Sequence, residues 1–161
     1  MRDNPDIEKT SDCEDTELKT SEEHMGFGQF GIVSFTSTTK AEKFVDLLKE
    51  GKVCGTICKS CGAKFFPPRS DCNVCLSDEM EWFDVSGVGD LITFTQAMYA
   101  PAGFENDVPY ILGVAQFDDG VKVFGRLDKS LKEENIKPGM KIKLKVVDLD
   151  NDRLSYVLTQ A

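Results

Sequence analysis

Four cysteines carry the clearest chemistry in this chain of 161 residues: Cys58, Cys61, Cys72 and Cys75 form C-x2-C-x10-C-x2-C. Two such knuckles bring four thiolates to one ion, and zinc favours tetrahedral sulfur in sites of this kind. With every position taken by sulfur there is no place for a catalytic water, so the metal is structural. Gly62 follows the second cysteine and supplies the positive φ that turns backbone N–H groups toward sulfur, whereas the second knuckle has Leu76 in that place. The short spacer and the flanking Lys59, Lys64 and Arg69 favour zinc over iron or disulfides. Cys54 reads as a thiol on a strand rather than a ligand, and Cys13 lies in an acidic leader. His24 is the only histidine, and nothing in the sequence brings it to a thiol, so a Cys-His nucleophile pair has no support.

The elements that hold these cysteines are constrained by composition. A mass of 17.9 kDa suits one domain or two small modules and excludes a large nucleotide-binding enzyme. The formal charge is -9, of which residues 1 to 24 contribute -6 through nine acids and three bases. That segment has few large aliphatics to bury and reads as a flexible leader over residues 1–38, with a Phe- and Gly-rich stretch, MGFGQFGIVSFTSTT, at its end. The leader has no apolar core of a signal peptide, which points to a reducing cytoplasmic setting and no membrane span. Phe27, Phe30 and Phe35 are either a docking segment or a cover for the chain's own core.

Residues 39–51 read as a helix, with Thr39 and Glu42 as a capping box and Phe44, Leu47 and Leu48 forming an apolar stripe. So short a helix directly before a metal module has little core of its own nearby, and the stripe is a candidate partner-docking face. Residues 52–81 are assigned to the ribbon and residues 82–161 to a five-stranded barrel of OB type, an SH3-like barrel being the structural alternative. The five strands run roughly over 82–98, with a bend at Gly87 and Gly89, then 110–117, 121–127, 140–147 and 153–159. Phe94, Tyr99, Tyr110, Phe117 and Phe124 read as inward positions, with Phe104 in a loop as the exception. Lys141, Lys143 and Lys145 alternate with apolar residues and so face outward on one strand, within residues 122 to 145, where eight bases meet three acids.

Taken together, GKVCGTICKSCGAKFFPPRSDCNVC, EWFDVSGVGDLITFTQA, VPYILGVAQFDDGVKVFGRL and IKPGMKIKLKV resemble the family of zinc-ribbon plus OB-fold proteins associated with acyl-CoA enzymes, long catalogued as a domain of unknown function. The resemblance covers about residues 40 to 148 and implies a mainly β chain: an N-terminal helix, a rubredoxin-like zinc ribbon and a five-stranded OB-fold barrel. It also implies a non-catalytic subunit that completes an assembly with a thiolase-superfamily enzyme and helps accommodate acyl-CoA, at its most specific an aromatic β-ketoacyl-CoA of anaerobic toluene degradation. The reactive cysteine and histidines would then belong to the partner. Under that reading Arg69, Phe104, Arg126, Lys141, Lys143 and Lys145 are candidate coenzyme A or partner contacts. Two alternatives stand beside it: a stand-alone OB-fold protein that binds single-stranded nucleic acid, which the net charge disfavours, and a scaffold without a ligand.

Overall fold

The structure is a computed structural model, and the residues it describes are 26–31, 39–102, 105–117, 120–149 and 153–161. The predicted leader up to residue 25, with Cys13 and His24, lies outside them, as do Phe35 and Phe104. Among the described residues, eight strands and one α-helix follow in the order α1 (Lys43–Lys49), β1 (Cys54–Cys58), β2 (Lys64–Phe65), β3 (Met80–Asp84), β4 (Gly89–Ala97), β5 (Tyr110–Gln116), β6 (Lys122–Leu127), β7 (Lys141–Leu149) and β8 (Arg153–Gln160). Short 3-10 turns occupy Gly26–Gln29 and Glu133–Asn135.

Two sheets result. The ribbon is a three-stranded sheet in the order β2-β1-β3, and the barrel closes in the order β4-β5-β6-β8-β7. One antiparallel circuit with a single parallel pair, β6 against β8, is the OB-fold path. The expected first barrel strand over 82–98 is divided between the two sheets. Met80–Asp84 pairs with β1 in the ribbon, with Trp82 opposite Thr56, while Gly89–Ala97 pairs with β5 in the barrel. Gly87, at φ 86, turns the chain between them. Alternation is nearly continuous across this stretch, so periodicity alone could not show that the sheet changes.

Ribbon and barrel share their packing. Phe83 and Val85, at the end of the ribbon, belong to the same buried cluster as Leu91, Ala115, Phe117, Val123, Ile142 and Leu158 of the barrel, and Ile57 and Phe66 of the ribbon pack against it. Val85 N–H also donates to the Val53 carbonyl at 2.9 Å.

The helix corrects the docking expectation. Phe44, Leu47 and Leu48 are 2%, 3% and 1% exposed, buried by this chain alone. Leu47 packs with Cys54 and Trp82, while Phe44 and Leu48 pack with Val53, Phe30, Phe66, Leu154 and Tyr156. The core that the short helix lacks in sequence arrives from β8, about 110 residues downstream. The capping box does not form either. Thr39 Oγ1 accepts from Ala41 N–H at 3.0 Å, and the helix begins only at Lys43. Phe30 covers the chain's own core as well: it forms a parallel bridge with Leu154, Gly31 N–H donates to Leu154 at 2.7 Å, and its ring meets Phe44 edge-on at 5.6 Å. Phe27 lies in the 3-10 turn beside it.

Candidate metal centre and outer barrel face

The two knuckles are built alike. In the first, Cys58 N–H donates to Ala63 at 2.9 Å and Gly62 N–H returns to the Cys58 carbonyl at 2.8 Å. In the second, Cys72 N–H donates to Ser77 at 2.9 Å and Leu76 N–H returns to Cys72 at 3.0 Å. Each closing residue needs a left-handed backbone: Gly62 has φ 72, and Leu76 adopts φ 61 despite its side chain. The departure at Leu76 therefore leaves the second knuckle's geometry intact. A Ser60 to Ser77 hydroxyl bond at 3.0 Å ties the two knuckles together.

The four sulfurs lie within 4.8 Å of one another, with Cys58 to Cys75 and Cys61 to Cys72 each at 3.5 Å. A tetrahedral zinc with sulfur at about 2.3 Å places its ligands about 3.8 Å apart, so these sulfurs need only small adjustments to hold the ion. Backbone N–H groups favour the thiolate form of Cys58 and Cys72, whereas burial and the neighbouring sulfurs raise Cys61, to about 12, and Cys75. Burial opposes ionisation of Cys58, yet the N–H groups of Cys61 and Ser60 and the Cys75 sulfur bring its pKa down to about 6. Cys72 is likewise lowered against its burial, by the N–H groups of Cys75 and Val74. One buried and one exposed cysteine per knuckle make a closed, structural zinc site at the edge of the ribbon sheet. Cys54, fully buried in β1, is not among the four clustered sulfurs.

The candidate contacts divide among separate places. Arg69 belongs to the ribbon: its N–H donates to Thr56 Oγ1 at 2.9 Å, and its guanidinium lies 5.5 Å from the Phe65 ring. Lys141, Lys143 and Lys145 are exposed on the outer face of β7, as alternation requires, and Lys141 pairs with Asp90 at 2.8 Å. Arg126, on β6, shares the outer face with Lys145, since both oppose Val157 of β8 from either side. Its guanidinium is already engaged, donating to Asp107 at 2.9 Å and lying 4.7 Å over the Tyr110 ring. Lys129 reaches the same carboxylate at 3.1 Å. These groups line a hollow of about 350 Å³ together with Gln96 and Leu131.

Asp107 was not among the residues singled out in the sequence, because an acid in an irregular loop carries no periodic signal. The Arg126 guanidinium, against the penalty of burial and with help from Lys129, holds its carboxyl below the usual range. A depressed carboxylate stabilises the fold above its unfolded pKa, near 3.9, and that contribution is lost as pH falls through the folded value. Asp107→Asn is therefore expected to lower the melting temperature at pH 7, and the gap to the parent protein should close as the melts are repeated down to pH 2. A gap independent of pH would show that the loop is held by something other than the charge.

Two aromatic positions read as core are instead exposed. Phe124 is 59% exposed and Tyr99 90%. Val123 and Leu127 face the barrel interior, so Lys122, Phe124 and Arg126 share the outer face. The signal was present, because Phe124 has the same parity as two cations. Phe117 is core at 2%, while Phe94, partly buried, packs against it from β4.

A closed four-thiolate ribbon sharing a core with an OB barrel defines the class of this protein. Its residues 45–81 match the ChsH2 rubredoxin-like zinc ribbon domain, and residues 82–150 match the ChsH2 C-terminal OB-fold domain. The chain belongs to the DUF35 family: it is 35% identical over 106 residues to a DUF35 domain-containing scaffold protein of Pyrococcus furiosus, covering 64% of this chain and 76% of that one. It is 32% identical over 89 residues to a protein of the same description from Methanocaldococcus jannaschii, covering 55% of this chain and 62% of the relative. A benzoylsuccinyl-CoA thiolase subunit of Thauera aromatica, BbsA, is 31% identical over 74 residues, which span 46% of this chain and half of that protein. Among solved structures, the Ltp2-ChsH2(DUF35) aldolase matches with a TM-score of 0.66 at 17% identity, over 78% of this chain and 98% of that one. A DUF35 family protein from Sulfolobus solfataricus matches at 0.53 and 19%, over 85% and 93%. These two likenesses show the fold.

Proposed function

We propose that this chain is a non-catalytic accessory subunit of a thiolase-type acyl-CoA enzyme, assisting assembly and the accommodation of acyl-CoA in a cytoplasmic hetero-oligomer. The observation that carries the reading is the 31% identity over 74 residues to a benzoylsuccinyl-CoA thiolase subunit. The chemistry of the ribbon agrees with it, since a metal enclosed by four sulfurs has no position for substrate. The partner then provides the thiolate that attacks a β-ketoacyl-CoA and passes the acyl group to free coenzyme A. As substrate we assign an aromatic β-ketoacyl-CoA of the benzoylsuccinyl-CoA type, as in anaerobic toluene degradation. Lys143 and Lys145 present ammonium groups to the coenzyme's phosphates from the outer face of β7.

One observation favours a second reading, binding of single-stranded nucleic acid: Phe124 stands exposed on the outer face between Lys122 and Arg126, as a stacking platform would. The two readings separate in a pull-down of the tagged full chain from its native cell under reducing conditions, with zinc quantified in the eluate. A stoichiometric thiolase-fold subunit, held as salt rises and accompanied by about one zinc per chain, is the expected result. Nucleic acid that elutes steeply with salt, or the chain alone, overturns it.

A further inference from the structure

The tip of the second knuckle breaks two rules at once. Leu76 is 86% exposed and Val74 68%, on either side of the ligand Cys75. Leu76 also holds φ 61, a left-handed conformation that strains an L-residue relative to glycine, and the matching position of the first knuckle is Gly62. The side chain contributes nothing to the core of its own chain, so glycine would serve the fold better. A strained residue that the fold does not need points toward function.

We infer that Val74 and Leu76 form a rigid apolar plug that enters a pocket on the enzyme subunit, a pocket with basic groups on its rim. This rests on the accessory-subunit reading. The charge around the plug selects the occupant. Exposed Asp71, Asp78 and Glu79 flank it in the chain, and four thiolates with one Zn(II) add a net of about -2, while Lys59 on the first knuckle offsets one charge and Lys64 and Arg69 lie over the Phe83 and Phe65 rings of the ribbon sheet. A second copy meeting this tip across a two-fold axis would set identical acids against each other. Nucleic acid and anionic membrane surfaces are repelled for the same reason. A protein pocket that is apolar within and basic at its edge satisfies both features, with the plug as the central anchor and the acids as the rim. The metal fixes the loop in advance, so little ordering entropy is lost on docking.

The test uses the full chain and the captured enzyme subunit. Leu76→Gly should keep about one zinc per chain and a melting temperature equal to or above that of the parent, while the dissociation constant of the complex rises tenfold or more. Asp78→Lys should slow association and flatten its salt dependence. If the parent chain forms the complex and Leu76→Gly forms it equally well, the plug is refuted and the accessory reading stands. Failure of the parent chain to capture any thiolase-fold subunit removes both. A change in the self-association of the isolated chain on Leu76→Gly would place a second copy at the tip and overturn the assignment.

Discussion

Cys72→Ser should lose the metal and, with it, far more than a local loop. Cys72 is 1% exposed and shares the cluster with three other sulfurs. Structural zinc in small modules contributes on the order of 10 kcal/mol to folding, and three thiolates with a serine hydroxyl retain little of it. The ribbon sheet has a strand of only two residues, β2, and cannot replace that energy with a core of its own. In a chain whose modules were independent, the damage would stop there. Here Phe83 and Val85 follow directly from the ribbon and are 6% and 3% exposed inside the barrel's cluster. Uncovering two such side chains removes about 3–6 kcal/mol, which corresponds to a fall in the barrel's melting temperature of roughly 10–50 °C. Zinc content, far-UV circular dichroism and thermal melts of the variant, with the parent chain treated with a strong chelator in parallel, give the measurement. A barrel transition that does not move when zinc is gone would show that the shared cluster carries no coupling between the two units.

That coupling marks the boundary of what sequence could reveal. The ligand set was legible because thiolate spacing is local: four cysteines within 18 positions need no knowledge of the rest of the chain. The barrel was legible too, since five alternating segments and their turns are also local patterns, and the closed β4-β5-β6-β8-β7 circuit follows them. What escaped depended on contacts between distant segments. The apolar stripe of α1 was visible, but its partner was not, because Tyr156 and Leu154 lie more than 100 positions away. The same applies to Asp107, whose importance comes from Arg126 and Lys129 on the far side of β5. Leu76 was noticed as a departure, yet its exposure and positive φ became visible only with the knuckle closed around it. Phe124 differs from these: its outward parity is local, shared with Lys122 and Arg126 on the same strand, and only its aromatic character points inward.

Phe44→Ala is expected to cost about 3–5 kcal/mol, the range for removing a buried aromatic ring. The ring is 2% exposed and stands where three separate parts of the chain meet: Phe30 at 5.6 Å from the lead-in, Phe66 at 6.1 Å from the ribbon and Tyr156 at 6.4 Å from β8. Tyr156 is central to the same junction. Burial pushes its phenol up to about 12, its hydroxyl donates to the Phe124 carbonyl at 3.0 Å, and its ring stacks on Phe30 at 6.3 Å. Truncating Phe44 leaves a cavity that these rings can only partly fill, because Tyr156 is held by its hydroxyl and Phe66 by the ribbon. Phe124→Ala on the outer face provides the contrast, since a ring 59% exposed should cost under about 1 kcal/mol. Denaturant titrations of both variants decide the matter. A large loss at Phe44 with little at Phe124 assigns the helix to the core. If Phe44→Ala leaves stability unchanged and abolishes a complex instead, α1 is a docking element after all. In the structure, closure of the rings around Phe44 joins lead-in, ribbon and barrel into one packed unit, so a partner that grips the ribbon also holds the barrel in a fixed place.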